Sequence, residues 1–190
     1  MHLIRHARFA LLICALLPLH AQASDQANGQ AQLPATQASA LLNTFDVMCN
    51  LGPPNFDKLT EQATAMRMRL LDEHSETMEG GALMEAKSWF GMLTTGPFAL
   101  RIDKMSGVKG VVTTCAVDGP VPDVDAFRQS VIVSHRLNPS QPAEMVDGTR
   151  TYYWDKFGGT PYTLVLRDME KPSGHFVQIK LVDMVPAGAK

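Results

Sequence analysis

Cysteine is scarce in this chain and never closely spaced: Cys14, Cys49 and Cys115 are the only three in 190 residues. Without a C-x-x-C pair there is no zinc framework and no thioredoxin-like dithiol. An excess of positive charge is also lacking, with 17 basic against 19 acidic residues. That balance leaves no basic surface for a phosphate backbone, so nucleic acid is not an expected partner. No G-x-S-x-G elbow, glycine-rich phosphate loop or calcium-loop pattern occurs. The expectation is therefore no cofactor, no metal and no assigned catalytic residue. After residue 19 no apolar run has the length of a membrane span, and none is expected.

What is present begins with an export signature. Arg5 and Arg8 precede an uncharged apolar run from Phe9 to Leu19, and Ala21-Gln22-Ala23 supplies the small-x-small site that signal peptidase accepts. Residues 1–23 read as a signal peptide cleaved after Ala23, giving a periplasmic or secreted protein. Its removal takes two of the 17 basic residues and leaves 15 against 19 acids. Cys14 leaves with it. Two cysteines in an exported chain most simply pair, so Cys49 and Cys115 are expected to form a disulfide.

Residues 24–38, rich in Ala and Gln, read as a flexible mature N-terminus, and 39–190 as a single α+β domain. Leu41, Phe45 and Met48 recur at helical spacing, and Gly52-Pro53-Pro54 stops that helix. Leu59, Ala63, Met66 and Leu70 mark a second helix that is expected to run to the acidic stretch Asp72–Glu79. Strand-like runs follow at 83–92, 98–104 and 108–117. In the second of these, Phe98, Leu100 and Ile102 alternate with Ala99, Arg101 and Asp103. Asp123 caps a third helix carrying Val124, Phe127 and Val131, and a polar loop runs on to Gly148. Three more strand-like runs lie at 151–157, 162–166 and 176–185, the last with Val177, Ile179 and Leu181 on one face.

Pro97–Ile102 matches Pro161–Leu166 in pattern. Each has a Trp upstream, Trp89 and Trp154, and a Ser-Gly turn downstream. Two tandem αβββ units would account for this. The expected architecture is an antiparallel sheet of about six strands with helices on one face. Phe98, Leu100, Ile102, Tyr162, Leu164 and Leu166 would face the helices.

Phe45 and Cys49 closing the first helix, Phe56-Asp57 and Leu59 opening the second, Cys115 at the end of a strand, and the Tyr162–Leu166 strand together resemble small exported proteins of Gram-negative bacteria that have no assigned activity. The resemblance implies a periplasmic address and a disulfide. It implies no chemistry.

The remaining chemistry-bearing residues allow three expectations. A one-faced sheet leaves a second face free, and Arg101, Asp103, Thr163, Val165 and Arg167 would lie there as an interaction face. This favours a non-enzymatic module that binds another exported or envelope protein. Met66, Met68, His74, Met78 and Met84 form a soft-donor stretch that suits a small-molecule or copper carrier. A small hydrolase would draw on His135 or His175, though Ser134 beside His135 points elsewhere on any regular element.

Overall fold

Thr36 opens the first helix of the computed structural model by a capping box: its hydroxyl accepts from the Ser39 backbone while Ser39 returns the bond. The structure describes residues 36–171 and 174–189, so the expected signal peptide lies outside the described residues. Helix α1 (Gln37–Cys49) buries Leu41, Leu42, Phe45 and Met48. Helix α2 (Phe56–Ala65) is capped by Asn55 and buries Leu59 and Ala63. Helix α3 (Val124–His135) is capped by Asp123, whose Oδ1 accepts from Ala126 N at 2.9 Å, and buries Phe127, Val131 and Ile132.

The strands are β1 (Arg69–Thr77), β2 (Leu83–Leu93), β3 (Gly96–Gly107), β4 (Gly110–Pro120), β5 (Glu144–Val146), β6 (Thr149–Trp154), β7 (Thr163–Lys171) and β8 (Gly174–Pro186). They form one antiparallel sheet in the order β1-β2-β3-β4-β8-β7-β6-β5. The α+β class is as expected, but the sheet has eight strands rather than about six. Both additions have a physical cause. Strand β1 is exposed along almost its whole length, so neither face is buried and its side chains carry no period-two signal. Its Leu70 continued the helical spacing of α2, and the acidic stretch after it is an edge strand rather than a helix end. Strand β5 has three residues, too few for a pattern, and closes onto β6 through an Asp147-Gly148 turn in which both residues have positive φ.

The order is a mirror about the β4/β8 pair: each half runs inward from an edge strand. Of the matching segments, Pro97–Ile102 falls on β3 and Pro161–Leu166 runs into β7 from Thr163 on, the third strand of each half, and Trp89 and Trp154 fall on β2 and β6.

Register divides the sheet into two faces. Trp89, Leu100, Val117, Ile179, Leu166 and Tyr152 lie on one, and pack with the three helices into a single core. Phe98, Ile102 and Leu164 are 3% exposed or less on the same face, and Tyr162 packs at its margin. The close seat of α1 on β4 depends on Gly119, where a Cβ would meet Leu41 Cδ1 at 2.7 Å. Cys115 on β4 forms a disulfide with Cys49 at the end of α1, with Cα atoms 5.5 Å apart. The core face is thus tied covalently to its main helix.

Candidate interaction face

The second face of the sheet carries no residue of the core cluster. Its central row, read across the strands, is Ser88, Arg101, Ala116, Lys180, Val165 and Tyr153. The row on one side is Ala86, Asp103, Thr114, Val182 and Thr163, and on the other Phe90, Ala99, Asp118, Gln178, Arg167 and Thr151. All five residues expected on this face, Arg101, Asp103, Thr163, Val165 and Arg167, therefore share it. The structure brings four of them close to a sixth that alternation also places there, Lys180. Val177, Ile179 and Leu181 point into the core, so Lys180 between them points out.

The small side chains Ala86, Ala116 and Val165 are 3% exposed or less although they lie outside the core cluster. Ala116 pairs in register with Arg101 and Lys180, and Val165 with Lys180, long side chains whose stems can cover apolar floor. Arg101 Nε donates to both Asp103 carboxylate oxygens at 2.8 and 3.0 Å. Thr163 Oγ1 donates to Asp155 Oδ1 at 3.0 Å. Lys180 stands between the small floors of Ala116 and Val165. Burial holds its ammonium below the usual lysine range, Arg167 next and Arg101 last add repulsion, and Asp103 and Asp118 oppose the shift. Arg101, Lys180 and Arg167 thus share the face with Asp103 and Asp118, three cations against two carboxylates, and one of the cations is short of water.

Three other places hold chemistry-bearing groups. His135, at the end of α3, lies edge-on to Phe157 at 4.9 Å and to Phe45 at 6.4 Å. Its Nε2 is 3.3 Å from Asp46 Oδ1, without the alignment of a hydrogen bond. Burial depresses its pKa, and Asp46 offsets this in part. It borders a recess of about 400 Å³ with Arg136, Trp154, Lys156 and Gly158. Ser134 is exposed and His135 half-buried, so the neighbours diverge as their spacing requires. Among the described residues no Ser, Thr or Cys side chain is recorded bonded to this imidazole. His175 lies apart from it, in a polar recess with Asp123, Asp125, Arg150 and Asp168. A third recess, of about 290 Å³, lies under the α1–α2 loop against Pro53, Lys58 and Cys115.

The soft-donor stretch is not one site. Met66 is the C-cap of α2. Met68 packs against the core near Gly91 and Phe98. His74 on β1 contacts Asp72 at 2.9 Å through Nδ1, and Met84 lies on β2, on the open face of the sheet. The chain from 66 to 84 leaves a helix, runs out along the edge strand past Met78 and returns, so Met66 and Met68 lie near the helix end and His74, Met78 and Met84 on the β1–β2 hairpin. Among the described residues no group of three or more His, Cys, Asp or Glu could hold a metal ion, and no helix is long and apolar enough to cross a membrane. No family model matches the chain, and no curated protein or solved structure was found to be similar to it.

Proposed function

We propose that this chain is an exported, non-enzymatic domain that binds another envelope or secreted protein through the open face of its sheet. The observation that carries the reading is the contrast between the two faces. Three helices seal one into a core, while the other presents Arg101, Lys180 and Arg167 around small buried floors. Three cations stand against the two carboxylates Asp103 and Asp118 in this cluster, so it keeps a net positive charge that an incoming carboxylate would complement, and the partner presents acidic side chains. Guanidinium groups also give such contacts bidentate geometry. Export is supported by the Cys49–Cys115 disulfide, which persists in oxidising compartments, and by the order of basic, apolar and small residues at the start of the chain.

The test is charge reversal. Arg101→Glu with Arg167→Glu should leave melting and circular dichroism unchanged and abolish capture of the partner. Capture that survives on a folded double variant removes this face from consideration.

A further inference from the structure

The helix side of the sheet holds an opening that the core does not fill. It is the recess of about 290 Å³ between the end of α1, the loop 50–55 and α2. Its floor is apolar and closed: Ile102 on β3, Cys115 on β4, Cys49 at the end of α1 and Leu59 on α2 line it and are 3% exposed or less. Its rim is apolar and open, with Val47 53% and Leu51 70% exposed. The recess therefore narrows inward, and its walls have little freedom to move. Pro53 and Pro54 line it with fixed φ, and the Cys49–Cys115 bond ties the end of α1 to β4. A cleft held in shape before a ligand arrives loses little entropy on binding one. Lys58 is the only charged residue among the described residues that line it, and it forms no ion pair among the described residues. Gln62, one helical turn further along α2, lines the same opening. An ammonium and a carboxamide thus stand as neighbours on one helix face, and both donate hydrogen bonds to an oxygen anion.

We infer that this recess is a binding site for a small amphiphilic carboxylate. Its apolar chain enters between Val47 and Leu51 toward Ile102, Leu59 and the disulfide, and its carboxylate stays at the rim with Lys58 and Gln62. Size sets the chain length. At about 30 Å³ for each water-sized group, the recess holds about ten non-hydrogen atoms, the size of a carboxylic acid of about eight carbons. A helix of a partner protein, about 10 Å across with its side chains, is too wide for it. Polarity sets the orientation. An apolar floor rejects a charged group that has no partner there, whereas the rim leaves the ammonium of Lys58 in water, where it attracts a carboxylate and repels an amine. The site lies on the core side of the sheet, opposite Arg101, Lys180 and Arg167. It is therefore separate from the face that binds the protein partner.

Ligands of one length and different charge test this. Octanoate, octanol and octylamine are each titrated into oxidised, methyl-labelled protein and followed by NMR. Octanoate should shift the methyl groups of Val47, Leu51, Leu59 and Ile102 and saturate below about 1 mM, with octylamine at least about tenfold weaker. Lys58→Met keeps an apolar stem and removes the charge. Because Lys58 is exposed, melting should not change, while octanoate weakens about tenfold and octanol binds as before. Arg101→Glu with Arg167→Glu should bind octanoate as the parent does. No shifts at these methyl groups in millimolar octanoate, shifts centred on other methyl groups, octylamine binding as tightly as octanoate, or Lys58→Met binding octanoate like the parent would each overturn the assignment. Self-association that Leu51→Ser abolishes would also overturn it, because a second copy of the chain would then cover the rim.

Discussion

Removing the Cys49–Cys115 bond should cost this domain a large part of its stability. The bond joins residues 66 apart, and closing a loop of that size in the unfolded chain contributes about 4 kcal/mol in the chain-entropy model. Both sulfurs sit in the core, with Cys49 2% and Cys115 1% exposed, so Ala at both positions opens little space and the entropic effect dominates. For a domain of this size, that loss corresponds to a fall in melting temperature of roughly 10 °C. The assay compares three samples by urea unfolding: oxidised parent, reduced parent, and the Cys49→Ala Cys115→Ala variant. The last two should agree with each other and fall well below the first. Equal midpoints for oxidised and reduced protein would show that the covalent tie between α1 and β4 constrains nothing.

Gly91→Ala should destabilise the fold by roughly 2 kcal/mol, because a methyl there overlaps the ring of Phe98 and crowds Met68 in a packed core; an unchanged urea midpoint would contradict it. His135 makes stability fall with acid. Its folded pKa is depressed by burial, so the unfolded chain takes up the proton first. Its contribution is present above the ordinary histidine value and is lost as the pH falls through that value to the lower folded one. His135→Gln should therefore flatten the decline in stability between about pH 7 and 5, and a variant with the parent's pH slope would show that this imidazole is not the group responsible.

Much of the sheet was legible in the sequence because one-sided burial writes itself as alternation. Phe98-Leu100-Ile102 and Val177-Ile179-Leu181 mark the core face unambiguously, and the intervening Arg101, Asp103 and Lys180 follow from the same parity. Strand β1 was not legible, since a strand exposed on both faces has no parity to read, and its Leu70 completed a false helical stripe. The pairing of β8 with β4 was not legible either: Met105 and Met184, distant in sequence, line one recess only because β8 returns to the centre of the sheet. Asp46 and His135 stand on different helices, and only the packing of α1 beside α3 brings them to 3.3 Å. Parity within one strand is local and readable; the order of strands and the packing of helices are set by burial across the whole chain.

The most direct test of the open face as an interface is a photo-crosslinking scan in intact cells. A photoreactive residue is placed in turn at Ser88, Gln178 and Tyr153 on the open face, and at exposed Lys58 and Val133 on the helices as controls. One discrete adduct is expected from the open-face positions only, lost when Arg101→Glu and Arg167→Glu are introduced. Adducts from the helix positions alone, or open-face adducts that survive the charge reversal, would contradict it.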